Sequence, residues 1–336
     1  MRDYFGLVGL GLGAGDQPRS IFRPAASWRR TNIMPYSHHS HSGQFCRHAT
    51  GSLESVVLEA IRKGFLVYGL SEHVPRYRVE DLYPEEARME LDELSAQFDA
   101  FLDEAHRLKT LYASQTTLLV GLETDYVTSL DLVQLDALLT RHGNRIDYIV
   151  GSIHHVGGIP IDFDLDTFKK AVSHQPGHSS EEQMVNFLCS YFEGQYEVMQ
   201  KFHPEIIGHL DLCRLYNPQL RFVDYPRAWE LLKRNVSYAI GYGALFEVNA
   251  AAFRKGWDAA YPHEDVLKQE GKLTLSDDSH GPHAVGLNYH RLAEYLQREG
   301  VSDLWVLQSS ELPSKGGRKI QAVKAPDDWG SHPLWE

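Results

Sequence analysis

From residue 36 onward, the chain alternates short runs of β-branched and aromatic residues with amphipathic segments. This alternation is typical of a βα-repeating fold, in which helices pack against the strands of one parallel sheet. Seven strands are predicted, at residues 36–41, 65–73, 117–126, 146–156, 205–212, 244–250 and 273–280. The sequence therefore predicts an α/β protein, and a barrel would bring the carboxyl ends of its strands to one face.

The segments between these strands predict helices of their own. Ser52 is a suitable N-cap for a helix that Gly64 would end, with one apolar face formed by Leu53, Val56, Val57, Ala60 and Ile61. A longer apolar stripe runs over residues 91–108. Further helices are predicted to begin near Ser129, Glu181, Pro226 and Asn288.

Length and composition limit the domain organisation. The chain has 336 residues, of which 43% are hydrophobic, enough for one large domain. We expect a barrel over residues 34–320, preceded by a poorly ordered extension at 1–33 and followed by a tail at 321–336. No apolar run approaches the roughly 20 residues that cross a bilayer, which favours a protein without a membrane partner.

Charge and cysteine content limit the function. The formal net charge of −12 argues against nucleic-acid binding, which depends on clustered Lys and Arg. A small-molecule partner suits this balance better. The three cysteines, Cys46, Cys189 and Cys213, are too few and too scattered for a disulfide framework. A reducing compartment, and hence a cytoplasmic location, is therefore expected.

Histidine is unusually abundant, at 18 residues, and it recurs with carboxylates at the ends of the predicted strands. A single histidine at a strand end is usually structural. Six of the seven predicted strands end in such a residue, and this recurrence favours a shared site. The residues concerned are His39, His41, His73, Glu123, His154, His209, Asp278 and His280.

Strand alternation selects which of these side chains face the same way. His39 and His41 lie two residues apart, so both imidazoles can bind one ion, whereas His38 should face away. Asp278 and His280 repeat this spacing, and Asp277 should face the opposite side. We therefore expect the pair His39 and His41 and the pair Asp278 and His280 to supply ligands to one metal site.

The remaining candidates are ranked by their position after each strand. Glu123 directly follows an apolar run, where an unpartnered carboxylate would be costly, so it is preferred to Asp125. His154 is preferred to His155, which should face away.

The loop after His41 holds two further candidates. His48 could reach a neighbouring ion, while Cys46 is at least as compatible with a structural thiol as with a ligand. Mixed nitrogen and carboxylate ligands suit zinc, manganese or iron(II), and their number implies several ions.

Taken together, these motifs resemble those of the histidinol-phosphate phosphatases of the polymerase-and-histidinol-phosphatase (PHP) family. The resemblance spans about residues 36–315 and rests on HxH with a downstream His, SEH, GLExDY, GSxH, GHLDL and SDxH. It implies a single-domain, distorted seven-stranded (β/α) barrel with two or three divalent transition-metal ions. By this resemblance, one ion is held by His39, His41, Glu123 and Asp278, a second by Glu123, His154 and His209, and a third by His48, His73 and His280.

The resemblance also implies a reaction, the hydrolysis of L-histidinol phosphate in histidine biosynthesis. The substrate would be a small phosphate monoester, attacked by a hydroxide that bridges two ions held by Glu123 and Asp278. Arg214 and Arg254 resemble arginines of the family that bind substrate phosphate, although each could instead form an ordinary ion pair. Two alternatives stay open: an amidohydrolase-type metal hydrolase that acts at carbon, and a noncatalytic metal-stabilised module.

Overall fold

The computed structural model describes residues 35–269 and 271–326. Within these residues the strands are Tyr36–Ser37 (β1), Ser40–His41 (β2), Val67–Leu70 (β3), Thr117–Glu123 (β4), Tyr148–Gly151 (β5), His155–Val156 (β6), Ile159–Pro160 (β7), Ile206–Ile207 (β8), Leu245–Asn249 (β9), Lys272–Ser276 (β10), Ser279–His280 (β11), Trp305–Ser309 (β12) and Ile320–Lys324 (β13). The helices are Leu53–Arg62 (α1), Leu91–Leu111 (α2), Ser129–His142 (α3), Leu165–Ser173 (α4), Ser180–Phe202 (α5), Pro226–Tyr242 (α6), Ala251–Arg254 (α7), Glu264–Leu267 (α8) and Tyr289–Arg298 (α9).

Seven parallel strands form the central sheet, in the order β1-β3-β4-β5-β8-β9-β10. The sheet nearly closes into a barrel, because β2 and β11 continue its two edge strands and pair in parallel, with Ser40 opposite Ser279 and His41 opposite His280. Helices surround the strands. The prediction of a seven-stranded α/β barrel is confirmed.

Each predicted strand overlaps one of the seven sheet strands, but three predicted strands are interrupted. Residues 146–156 include β5 and the separate strand β6. Residues 36–41 form β1 and β2, and residues 273–280 form β10 and β11. The break between β10 and β11 coincides with Asp278, which adopts a positive φ of 44°. Aspartate tolerates this left-handed conformation better than most residues, and it ends the regular extended chain there.

The predicted helices are present with the expected signals. The side chain of Ser52 accepts a hydrogen bond from the backbone N–H of Ser55 at the start of α1, and Gly64 follows that helix with φ of 77°. The short helices α4, α7 and α8 and the β6–β7 and β12–β13 hairpins were not predicted. None of the helices in the described ranges is long and apolar enough to cross a membrane.

Tyr148 is a fully buried side chain of β5, and its hydroxyl donates to the carbonyl of His38 at 2.6 Å. Gly69 on β3 and Gly121 on β4 leave room for its ring, because a Cβ at either position would overlap it. The ring of Tyr148 therefore packs against β3 and β4 and is hydrogen-bonded to the segment that carries His38 and His39.

The C-terminal part of the described chain pairs β12 with β13 in an antiparallel hairpin, with Trp305 opposite Lys324. The hairpin adjoins the barrel where Leu304 bridges to Leu273 of β10. The predicted tail boundary at residue 321 therefore falls inside a paired strand. The predicted extension at residues 1–33 lies outside the described residues.

Candidate metal centre

A cavity of about 380 Å³ opens at the carboxyl ends of the strands. Most of the side chains selected from the sequence line this cavity, namely His48, His73, Glu123, His154, His209, Arg254, Asp278 and His280. His39 and His41 are fully buried next to it. The fold thus brings together residues that are up to 241 positions apart, since the first is His39 and the last is His280.

Glu123 lies at the centre of the cluster and is 1% exposed. Its Oε2 faces three imidazoles, at 3.1 Å from Nε2 of His39, 3.4 Å from Nε2 of His41 and 3.0 Å from Nδ1 of His73. This oxygen therefore points into one group of potential ligands.

The other carboxylate oxygen of Glu123 faces a second group. Its Oε1 lies 3.1 Å from Nε2 of His209 and 3.3 Å from Nε2 of His154. These two imidazole nitrogens are themselves 3.3 Å apart. A carboxylate with separate ligand groups at its two oxygens has the arrangement needed to bridge two ions.

Asp278 faces the same two buried imidazoles, of His39 and His41, as Glu123. Its Oδ1 lies 3.7 Å from Nε2 of His39 and from Nε2 of His41, and 3.6 Å from Nδ1 of His280. His41 and His280 are direct neighbours across the β2–β11 pair, with ring centroids 4.5 Å apart. Asp278 therefore faces both the deeply buried histidines and the outer one.

A further group of potential ligands lies near the cavity mouth. The ligand atoms of Cys46, His48, His73 and His280 all lie within 4.8 Å of one another. The thiol of Cys46 is 3.2 Å from Nε2 of His48. The structure thus places Cys46 within reach of the same position as the three histidines, a proximity that the sequence left open.

The donor set fits divalent transition metals. Both ring nitrogens of His41 and of His73, Nε2 of His39, and Nδ1 of His154 and of His209 are buried without a hydrogen-bond partner in the described part of the chain. Buried polar atoms rarely lack partners. Ligands bound to zinc at about 2.0–2.1 Å in tetrahedral geometry lie roughly 3.3 Å apart, close to the spacings around Glu123.

Comparison with known proteins identifies the family of this chain. Residues 37–251 match the model of the PHP domain. A protein of Schizosaccharomyces pombe named "Probable histidinol-phosphatase" is 45% identical over 303 residues, which cover 88% of this chain and 96% of the relative. The histidinol-phosphatase of Saccharomyces cerevisiae is 31% identical over 317 residues, which cover 82% of this chain and 93% of the relative.

The chain belongs to the PHP domain family. The family prediction is confirmed. A solved structure of histidinol phosphate phosphatase from Lactococcus lactis, in complex with zinc, L-histidinol and phosphate, has a TM-score of 0.54 and 17% identity. The match covers 86% of this chain and 98% of that one, and it shows a shared fold.

A carboxylate that sequence reasoning missed supports His39, one of the fully buried histidines of this PHP barrel. Oε1 of Glu247 lies 2.8 Å from Nδ1 of His39, and its Oε2 accepts hydrogen bonds from the backbone N–H of His209 and from the side chain of Asn249. A carboxylate behind an imidazole fixes the ring orientation and increases its basicity as a ligand. Strand alternation was the available signal, since Glu247 and Asn249 lie two residues apart on β9.

Asp125 occupies a different position from Glu123. Its Oδ2 lies 2.5 Å from Nη1 of Arg76, and its Oδ1 lies 3.1 Å from Nδ1 of His155. Burial raises the pKa of Asp125, but the charges of Arg76 and His155 and hydrogen bonds from His154 and His155 together outweigh this effect and hold that pKa well below its usual range. Asp125 is thus an ion-paired neighbour of the centre, as is His155.

The structure separates the two arginines selected from the sequence. Arg254 lines the cavity, and its two Nη atoms donate to the carbonyls of Asp277 and Asp278 at 2.8 Å. Arg214 is fully buried outside the cavity lining, where it pairs with Asp211 and Asp265. The substrate-binding role predicted for Arg214 therefore disagrees with its position, because its donors are committed to these carboxylates.

The side chains expected to face away do so. Nδ1 of His38 lies 3.1 Å from the hydroxyl of Thr274, and its Nε2 accepts from the backbone N–H of Leu307. His38 is fully buried, and burial lowers its pKa to about 4. Asp277 accepts from the backbone N–H of Gly286 at 2.7 Å, and burial raises its pKa to about 6.

Proposed function

We propose that this chain is a metal-dependent phosphatase that hydrolyses L-histidinol phosphate to L-histidinol and phosphate. One observation carries the proposal: the two oxygens of Glu123 face separate groups of imidazoles at the edge of an open cavity. The relatives named histidinol-phosphatase, which align over most of their length, support the choice of substrate.

We assign the ligands in three groups, of which the first two share Glu123. The first group would hold an ion between the two buried histidines, His39 and His41, and the carboxylate of Asp278. The second group lies at Oε1 of Glu123. The third is near the cavity mouth. The proposed ligands are His39, His41, Glu123 and Asp278 for the first, Glu123, His154 and His209 for the second, and His48, His73 and His280 for the third.

Two or three divalent ions, of zinc, manganese or iron, would occupy these groups. When bound, such ions supply an activated water as nucleophile and offset the negative charge of the phosphoryl oxygens. The mixture of imidazole and carboxylate donors favours these metals over calcium or magnesium. Glu123 and Asp278 would act as the carboxylates that fix the position of this chemistry.

Arg254 is proposed to hold the substrate phosphate. Its guanidinium carries five N–H donors, and the bonds to the carbonyls of Asp277 and Asp278 fix its position while leaving other donors available. A planar guanidinium forms paired, charge-assisted bonds to phosphate oxygens. Its place in the cavity wall beside Asp278 would keep the phosphoryl group next to the ligand groups.

Aromatic side chains complete the cavity. Tyr83 and Phe163 stack with ring centroids 6.3 Å apart and an interplanar angle of 18°. Tyr261 lies on another part of the lining, and its ring centroid is 6.4 Å from that of His209 in an edge-to-face arrangement. We propose that these rings exclude water around the leaving group.

The free thiols support a reducing compartment. Cys46, Cys189 and Cys213 are all buried and unpaired in the structure. We therefore propose that the protein works in the cytoplasm, and fractionation with compartment markers would test this location.

The decisive experiment is a side-by-side substrate panel. Metal-loaded protein should hydrolyse L-histidinol phosphate with much higher kcat/KM than glycerol phosphate, nucleoside monophosphates or phosphoserine, and a chelator should abolish phosphate release. Cyclic amides and lactones belong in the same panel, since a carbon-directed hydrolase would act on them. A nucleotide, diester or amide as the best substrate would contradict the proposal.

A further inference from the structure

Two carboxylates line the metal cavity without belonging to any ligand group, those of Glu85 and Asp162. Glu85 is exposed, whereas Asp162 is partly buried. Within residues 35–269 and 271–326, the carboxylate of Asp162 has no hydrogen-bond donor and no ion-pair partner. Arg254 and Lys255 also line this cavity, but neither forms an ion pair with Asp162. A partly desolvated carboxylate that faces a cavity without pairing to a cation is a position where a bound cation would be favourable.

The backbone around Asp162 is held in place. The N–H of Ile161, which is fully buried, donates to the carbonyl of His154 at 2.9 Å. The hydroxyl of Tyr216 donates to the carbonyl of Asp162 at 3.3 Å. The hydrogen bond from Ile161, the residue before Asp162, therefore fixes the backbone at Asp162 relative to His154, one of the proposed metal ligands.

The charge of Asp162 acts across the cavity. Burial raises the pKa of Tyr83, and the charge of Asp162 raises it further. Burial likewise raises the pKa of Tyr261, with smaller contributions from Asp211 and Asp162. Because Tyr83 and Tyr261 both line the cavity, the carboxylate influences the space between them.

Arg254 and Asp162 thus give the cavity two different recognition groups. Arg254 carries positive charge beside the ligand groups, where a phosphoryl group would bind. Asp162 carries negative charge beside the stacked pair of Tyr83 and Phe163. A substrate with a phosphate at one end and a cation at the other would match both.

We propose that Asp162 is a specificity-determining residue that binds the ammonium group of the substrate, so that the site selects phosphate esters of amino alcohols. This inference rests on the proposed phosphatase function and adds which residue recognises the leaving group. A charge-assisted hydrogen bond of this kind should change kcat/KM by about 10- to 100-fold.

The test compares ammonium-bearing and neutral phosphate esters. Wild type, Asp162→Asn and two control variants are assayed with L-histidinol phosphate, phosphoethanolamine and glycerol phosphate. Asp166→Asn is the matched control, because Asp166 lies on α4 with a 96% exposed side chain and outside the cavity lining. Glu85→Gln tests the other carboxylate of the lining.

In Asp162→Asn, the ratio of kcat/KM for phosphoethanolamine to that for glycerol phosphate should fall about 10- to 100-fold, mainly through KM. L-histidinol should become a weaker competitive inhibitor by a similar factor, whereas inhibition by inorganic phosphate should be retained. Metal content should stay that of wild type. Asp166→Asn should keep the wild-type ratio.

Several results would overturn the inference. These are an unchanged ratio in Asp162→Asn, an equal fall for all three esters, or loss of the preference in Glu85→Gln alone. The proposed function has a separate readout. If wild type prefers another ammonium-bearing ester to L-histidinol phosphate, the proposed substrate fails, while a lower ratio in Asp162→Asn still supports the role of Asp162.

Discussion

Replacing Arg214 by Ala should destabilise the fold instead of removing a phosphate ligand. Its Nε and Nη2 donate to one oxygen of Asp211 at 2.8 and 2.6 Å, and Nη1 donates to the carbonyl of Leu220 at 2.8 Å. Nη2 also donates to Asp265 at 2.8 Å, and the guanidinium lies 4.5 Å above the ring of Phe222. Arg254 instead donates to two backbone carbonyls and forms no ion pair with a carboxylate in the described part of the chain.

The expected loss of stability in Arg214→Ala follows from the carboxylate of Asp211, which would lose its partner. Asp211 is 0% exposed, so Arg214→Ala would leave a buried carboxylate without its cation. Breaking a buried pair in this way costs about 3–5 kcal/mol. Because domains are stable by only about 5–15 kcal/mol, this is a large fraction of the free energy of unfolding.

The assay is urea unfolding of wild type, Arg214→Ala and Arg254→Ala, followed by kinetics under conditions where each remains folded. Arg214→Ala should lower the unfolding midpoint strongly, and adding Asp211→Asn should recover part of the loss because the unpaired charge is removed. Arg254→Ala should chiefly lower kcat/KM, by roughly one to three powers of ten. A wild-type midpoint in Arg214→Ala, together with a raised KM, would refute this reasoning.

Three further predictions concern the metal centre. Purified, unchelated protein should carry two or three transition-metal ions per chain by elemental analysis, and active protein with one ion or none would contradict the cluster. Glu123→Gln should abolish turnover in a folded protein, because Glu123 faces both ligand groups. Asp125→Asn should reduce turnover less, because Asp125 is held by Arg76. Equal losses of turnover with unchanged metal content would mean that the bridging carboxylate is misassigned. Glu247→Gln should weaken metal affinity about 10- to 100-fold in chelator competition, because it releases the ring of His39, and wild-type affinity would argue against this support.

The strands and most proposed ligands were predictable because each is encoded by local spacing. A period of two residues places His39 and His41 on one face, and the same period places Asp278 near His280. The carboxyl ends of parallel strands meet at one face whatever the loops contain, so the convergence on Glu123 needed no long-range information. What spacing does not encode is the break at Asp278, which depends on a positive φ.

The roles of the two arginines could not be predicted, because they depend on residues far away in the sequence and not on local spacing. Arg214 follows His209 by five residues, which suggested a position in the site. Its environment is set by Asp265, 51 residues further along the chain, and by the packing of Phe222 beneath its guanidinium. Only the assembled fold distinguishes it from Arg254, whose short helix opens onto the cavity.

Closure of the barrel and assembly of the metal centre depend on the same pairing. β2 and β11 come from opposite ends of the domain, and their register sets His41 directly opposite His280. The break that separates β10 from β11 leaves Asp278 facing both His39 and His41 at 3.7 Å. An ion held by these residues would connect the first strand to the last, so metal binding should stabilise the closed barrel as well as provide the chemistry.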